Sequence, residues 1–197
     1  MNKIGIFGGS FNPIHIGHLI IAEYFFIQQK LDKIIFVPTY ISPFKQDQIK
    51  QVSDDDRSAM VKMLTDKDER FECDNFEIQS KDISYTYNTV LNIQTRYPNS
   101  ELILLIGLDN LQDLNKWYEF DKLSKLVTFC VAKRGLDVTK NEKVPSLGAA
   151  VRLTYLNSPN IEVSSSQIRE SIKSSGAYQY MLHPAVFEYV KAKKLYI

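Results

Sequence analysis

The chain has 197 residues and 44% hydrophobic content, enough for one substantial core and short for two independent domains, so a single domain over residues 1–197 is expected. A formal charge of +1 gives no global basic field, which argues against a dedicated nucleic-acid or membrane-surface binder and makes any anion site a local one. No apolar run approaches the length of a membrane span, and Met1-Asn2-Lys3 leads straight into a strand, so neither a signal peptide nor a transmembrane segment is expected.

The first element is an apolar strand over Ile4 to Phe7, followed by Gly8-Gly9-Ser10-Phe11-Asn12-Pro13-Ile14-His15-Ile16-Gly17-His18. Gly8 and Gly9 let backbone N–H groups approach an anion closely, and Ser10 adds a hydroxyl donor. His15 and His18, three apart at a helix start, share one face where the helix dipole is positive. Negative charge developing there would meet fixed donors, or cations if the imidazoles are protonated. A glycine pair before a helix is often only a tight turn. The concentration of a glycine pair, a hydroxyl, a proline and two histidines in eleven residues favours function. The spacing departs from G-x-G-x-x-G, so a dehydrogenase fingerprint is excluded.

Residues 18–29 are apolar nearly all round and predict a buried helix; Ile34 to Val37 follows as a second strand. Residues 39–53 form a long polar connection containing Lys45, either a solvated loop lysine or a mobile cation that closes on a phosphate. Asp54, Asp55 and Asp56 with Arg57 read as a charge run at the start of a helix over 55–64, not as a metal cluster. Ser84-Tyr85-Thr86 stands before a helix over 86–96 and fits an N-cap region; that helix ends ahead of Pro98. Leu102 to Ile106 is a third strand. Asp109, in the following Gly107-Leu108-Asp109, suits either a ribose contact or a helix cap. Trp117, the sole tryptophan, suits either the core or a stacking platform.

Val127 to Ala132 is the fourth strand, and 135–149 a second long connection. Cys73 and Cys130 lie far apart without ligand spacing and read as reduced, core-type thiols of a cytoplasmic protein. Val163-Ser164-Ser165-Ser166-Gln167-Ile168-Arg169 follows a short strand-like run and opens a helix. Ser164 and Gln167 fit a capping box, while three hydroxyls, free N–H groups and an arginine one turn in make a polyphosphate clamp. His183 before Pro184 reads as a residue at a helix start and is given no chemistry. The strands are continuously apolar and alternate with helices, which predicts an α/β class, Rossmann-like doubly wound parallel sheet in three αβα layers. Ligands in such folds sit beyond the carboxyl ends of the strands.

On these motifs the chain resembles the bacterial nicotinate-nucleotide adenylyltransferases, within the superfamily that shares H-x-G-H with class I aminoacyl-tRNA synthetases. The resemblance runs nearly end to end: G-G-S-F-N-P-I-H-I-G-H at 8–18, V-P at 37–38, S-P-F-K at 42–45, D-R at 56–57, S-Y-T at 84–86, G-L-D at 107–109, K-W-Y at 116–118, S-S-S-Q-I-R at 164–169 and L-Y at 195–196. It implies direct in-line attack of the 5′-phosphate of nicotinate mononucleotide on the α-phosphorus of ATP, with release of pyrophosphate and no covalent intermediate. The catalytic residues it implies are His15, His18 and Arg169. The ATP-binding set it implies is Gly8, Gly9, Ser10, Phe11, His15, His18, Gly107, Asp109, Ser165, Ser166, Ile168 and Arg169. The implied substrate-binding set is Lys45, Ser84, Tyr85, Thr86, Trp117 and Tyr118, with Trp117 stacked on the pyridine ring and backbone N–H groups near Thr86 and Tyr118 receiving its carboxylate.

Mg²⁺ would travel with ATP, without a protein carboxylate cage. The implied partners are ATP and nicotinate mononucleotide, with no nucleic acid and no membrane, in the cytoplasm; assembly as a homo-oligomer stays open. Two positions depart from the family: Asn12 stands where aspartate is usual, and Phe44 where histidine often precedes the loop lysine. Pantetheine-phosphate adenylyltransferase shares the first motif and the serine-rich helix start, but the length, S-Y-T and Trp117-Tyr118 speak against it. A synthetase lacks support because no K-M-S-K-S element is present, and an idle nucleotide-binding module conflicts with intact His15, His18 and Arg169.

Overall fold

A continuously apolar strand must be covered on both faces, and helices on either side of one sheet provide that cover. The computed structural model describes residues 2–43, 52–132, 147 and 151–197. Along the chain its elements are β1 (Lys3–Gly9), α1 (Ile16–Gln29), β2 (Lys33–Pro38), α2 (Asp54–Thr65), β3 (Phe71–Cys73), α3 (Phe76–Ser80), α4 (Thr86–Arg96), β4 (Glu101–Gly107), α5 (Leu108–Leu111), α6 (Phe120–Leu126), β5 (Val127–Ala132), β6 (Leu153–Leu156), α7 (Ser165–Lys173) and α8 (Pro184–Ala192). Among the described residues, six strands form one sheet in the order β3-β2-β1-β4-β5-β6, every neighbouring pair parallel. This is the Rossmann-like three-layer αβα arrangement that the apolar runs predict.

Successive residues of the central strands point to opposite layers. Phe7, Ile34, Phe36, Ile103, Leu105 and Cys130 join the core beneath α1, α2 and α8. Ile4, Ile6, Ile35, Val37, Leu104 and Phe129 join the core beneath α4 and α6. The edge strands β3 and β6 are not among the four strands specified as buried on both faces. Phe71–Cys73 is three half-buried residues, and Leu153–Leu156 buries only Leu156 fully, so neither is a continuous apolar run.

One expectation needs correction. The first helix starts at Ile16, two residues before the predicted start, and is not buried all round. It buries Gly17, His18, Ala22 and Phe25 and leaves Tyr24 37% and Ile27 61% exposed. A helix in an outer layer has one covered face, whatever its composition. The Ser84-Tyr85-Thr86 segment stands at the start of α4 as expected: Tyr85 is the N-cap residue, although it makes no side-chain cap bond. Of the two long connections, residues 44–51 and most of 135–149 lie outside the described residues, as do Phe44 and Lys45. No helix among the described residues is long and apolar enough to cross a membrane.

Gly5 of β1 is closely covered by Phe25 of α1 and by Leu31 just beyond that helix. A Cβ built there would stand 2.6 Å from Leu31 Cδ1 and 2.7 Å from Phe25 Cε1. Both neighbours are buried and have little room to yield. Gly5→Ala is therefore expected to lower unfolding free energy by about 1–3 kcal/mol through overpacking, read from chemical denaturation midpoints at unchanged m-value.

Candidate active site

In the observed strand order the chain runs outward from β1 in both directions, so a crevice opens beyond the carboxyl ends of β1 and β4. A cleft of ≈ 950 Å³ occupies it. Its wall brings together Gly8, Gly9, Ser10, His15, His18, Ser84, Tyr85, Thr86, Gly107, Asp109, Trp117, Tyr118, Ser165, Ser166 and Arg169. Phe11 and Ile168 are different: both lie in the core at 1% and 0% exposure and do not line the cleft, so the structure does not place them in contact with a ligand. A second hollow of ≈ 570 Å³, lined by Phe76, Leu91 and Pro98 among others, holds none of the expected site residues.

His15 is the N-cap residue of α1 and His18 its third residue. The backbone N–H of His15 donates to His18 Nδ1 at 3.2 Å, and the two rings lie 3.7 Å apart. Since Nδ1 accepts, the ring proton of His18 sits on Nε2, which makes His18 a neutral donor in this geometry instead of a cation. Phe7 and Phe11 pack against the same ring at 5.9 and 5.1 Å and hold its plane. Both histidines are nearly buried, at 5% and 8% exposure.

The serine-rich segment reaches the same place from far along the chain. Ser164 caps α7, its Oγ accepting from the Gln167 N–H at 3.2 Å. Ser165 Oγ donates to the Pro13 carbonyl at 2.9 Å. Arg169 donates from Nη1 to the Asn12 carbonyl at 2.8 Å and from Nη2 to Ser166 Oγ at 3.0 Å. Arg169 is thus not a solvated helix residue. It stands beside the histidine loop with Ser166 and the free N–H groups of the first turn of α7, an arrangement suited to a polyphosphate.

Arg57 is the residue whose part the sequence reading missed. It is 4% exposed, pairs with Asp54 at 2.5 Å, and donates to the carbonyls of Ser10 at 2.5 Å and Thr39 at 2.7 Å. It ties to α2 the residues that follow β1 and β2, Ser10 and Thr39, both of which line the cleft. One signal was available: a cation in the first turn of a helix opposes the dipole, which implies another use for it. Asp56 is held elsewhere, accepting from Ser53 Oγ and the Tyr189 hydroxyl, which keep its carboxyl below the usual range.

The other half of the cleft is aromatic and hydroxyl-lined. Ser84 Oγ accepts from the Tyr40 N–H at 3.0 Å and its own N–H donates to the Ile41 carbonyl, so S-Y-T is pinned to the chain leaving β2. The Tyr85 and Tyr118 rings lie 4.5 Å apart at the rim. Trp117 packs partly on the core and partly on the cleft, and its buried Nε1 has no hydrogen-bond partner among the described residues. Asp109 is exposed at the end of β4, where a Cβ on Gly107 would come within 2.2 Å of its Oδ1; glycine is what lets this carboxylate lie over the strand end. No group of three or more His, Cys, Asp or Glu among the described residues could hold a metal ion. Cys73 and Cys130 are free thiols, and burial pushes both up to about 11, far from a reactive thiolate.

The cytidylyltransferase-like family model matches residues 6–171. The nicotinate-nucleotide adenylyltransferase of Bacillus subtilis is 36% identical over 197 residues, covering 100% of this chain and 99% of that one. A probable nicotinate-nucleotide adenylyltransferase of Caldicellulosiruptor saccharolyticus is 36% identical over 98% of both chains. Among solved structures, Plasmodium falciparum nicotinic acid mononucleotide adenylyltransferase complexed with NaAD superposes with a TM-score of 0.79 at 20% identity, covering 100% of this chain and 98% of that one. That likeness bears on the fold alone.

Glu77 adds a titratable group to the cleft wall. It is 7% exposed, and Thr89 Oγ1 donates to its Oε1 at 2.6 Å. Burial raises its pKa, nearby Asp74 adds to the rise, and the Thr89, Ser84 and Thr39 hydroxyls work against it. A carboxyl raised in the folded state contributes stability that is fully present below the unfolded value of about 4.3 and is lost as pH rises through the folded value. Wild type should therefore lose stability over that window, and Glu77→Gln, which retains an acceptor for Thr89, should lose less. Parallel stability–pH curves for the two proteins would contradict this.

Proposed function

The chain belongs to the nicotinate-nucleotide adenylyltransferases, within the cytidylyltransferase-like family, and from that premise we propose how its residues share the work. It joins the AMP moiety of ATP to nicotinate mononucleotide, giving nicotinate adenine dinucleotide and pyrophosphate in NAD biosynthesis. The observation that carries the assignment of roles is the convergence of His15 and His18, the start of α7 and the Gly107–Asp109 turn on one cleft with S-Y-T and Trp117-Tyr118 opposite. One half suits a triphosphate and the other a flat ring with a phosphate arm.

A 5′-phosphate oxygen of the mononucleotide attacks the α-phosphorus of ATP in line, and the bond from that phosphorus to the bridging oxygen of the β-phosphate breaks. The electron pair leaves with pyrophosphate. No side chain needs to become covalently bound, so rate comes from alignment and from donors placed where charge accumulates. His18 Nε2–H faces the transferring group and His15 the neighbouring phosphates. Ser166, Arg169 and the N–H groups of α7 hold the departing β and γ phosphates. Gly8, Gly9 and Ser10 line the reaction centre, and Asp109 accepts from ribose. Ser84, Tyr85 and Thr86 shape the mononucleotide side, Trp117 stacks on the pyridine ring, and N–H groups near Thr86 and Tyr118 receive its carboxylate.

Mg²⁺ accompanies ATP in this reading and offsets phosphate charge, with its ligands coming from the nucleotide and water. Two free thiols fit a cytoplasmic setting.

Pyrophosphate release from ATP and Mg²⁺ with nicotinate mononucleotide, nicotinamide mononucleotide and phosphopantetheine tests the whole. Release is expected with the nicotinate form and far more weakly with the nicotinamide form. Comparable rates for these two would remove the carboxylate pocket, release with phosphopantetheine would move the substrate to the sister family, and silence with all three would make the chain an idle nucleotide-binding module. His18→Ala should lower kcat by about 10²–10³ with the fold intact, the cost of one donor aimed at developing charge. A folded His18→Ala enzyme with near-normal kcat would refute that role.

A further inference from the structure

Beyond α8 the chain turns back toward the cleft and places Tyr196 against the histidine loop. The ring is 5% exposed, and its hydroxyl donates to Asn12 Oδ1 at 2.7 Å. Tyr196 adopts φ 68, and Lys194 φ 51, in the left-handed region that side-chain-bearing residues seldom occupy. Such a backbone persists where its surroundings over-determine it, so the tyrosine is held in place by what it reaches. A buried phenol needs a partner for its O–H, and here the partner lies in the nucleotide loop instead of in the surrounding core.

Asn12 is a junction. Its side-chain oxygen is taken by Tyr196 and its backbone carbonyl by Arg169 Nη1 at 2.8 Å, while the next carbonyl, of Pro13, accepts from Ser165 Oγ at 2.9 Å. Arg169 and Arg57 both lie close enough to Tyr196 to act electrostatically on its hydroxyl, and burial nonetheless keeps it a neutral donor. The same stretch of chain is latched a second time: the Tyr189 hydroxyl donates to Asp56 at 2.7 Å and Lys193 pairs with it at 3.3 Å, next to Arg57, which holds the Ser10 carbonyl.

We infer that Tyr196 is a positioning residue for the ATP-phosphate clamp: by holding the Asn12 side chain it sets where the Asn12 carbonyl stands, and that carbonyl orients the Arg169 guanidinium. The inference rests on the proposed role of Arg169 toward the β and γ phosphates. Asn12 is where the family usually has aspartate, and either side chain offers Tyr196 an oxygen to hold.

Steady-state kinetics with ATP varied at saturating nicotinate mononucleotide, and then the reverse, tests this with Tyr196→Phe, which keeps the ring. Loss of one hydrogen bond should lower kcat/KM for ATP about three- to tenfold and leave KM for the mononucleotide unchanged. Asn12→Ala should give the same loss, and adding Tyr196→Phe to it should cost nothing more. In Asn12→Asp, which keeps an acceptor oxygen, the Tyr196→Phe effect should persist. Wild-type ATP parameters in Tyr196→Phe, equal losses for both substrates, or additivity with Asn12→Ala would each overturn the inference. Arg169→Ala separates the two levels. If it fails to weaken ATP use, the proposed clamp itself fails; if it weakens ATP use while Tyr196→Phe is silent, only the positioning role fails.

Discussion

The position of β1 between β2 and β4 is the constraint on which the site depends. Because all six strands are parallel and the chain leaves β1 on both sides, the turn at its carboxyl end is not covered by a neighbouring connection. Gly8 and Gly9 end that strand, and the helix that follows can begin only over the opening. His15 at the N-cap and His18 at the third helical position then face the cleft together with the positive end of the α1 dipole. Gly107 and Asp109 arrive at the same edge for the same reason, since β4 is the other strand that borders the opening.

Two arginines turn that opening into a shaped site. Arg57 grips the carbonyls of Ser10 and Thr39 from below, and Arg169 grips the carbonyl of Asn12 from α7. A planar guanidinium with several donors can satisfy carbonyls from separate segments at once, which lysine cannot do with fixed geometry. The consequence is preorganisation: the loop between β1 and α1 is held in place by groups ordered during folding, so less ordering is left to the moment of binding. A reaction that proceeds by alignment and charge stabilisation, without a covalent intermediate, has most to gain from such a frame.

Charge is used locally throughout. The chain is nearly neutral overall, yet the histidine pair, the start of α7 and Arg169 gather donors on one wall of the cleft. The opposite wall carries rings and hydroxyls from Tyr85, Tyr118, Trp117 and Ser84.

Much of this was legible in the residue order. Four runs of apolar residues specified central strands, because a strand covered on both faces has no polar positions to break the run. The glycine pair, the two histidines and the serine-rich helix start specified their own local geometry, since caps and dipoles act within a turn or two. What the residue order did not show is long-range pairing. Arg169 meets Asn12 at a separation of 157 residues and Tyr196 meets it at 184, and no periodicity or spacing encodes such a bond. Arg57 read as part of a charge run at a helix start and Glu77 drew no notice, because burial of a polar side chain is decided by which layers close over it. The edge strands β3 and β6 had no bounds in the residue order for a related reason: pairing on one side alone asks for no apolar run, so only the assembled sheet could define their extent.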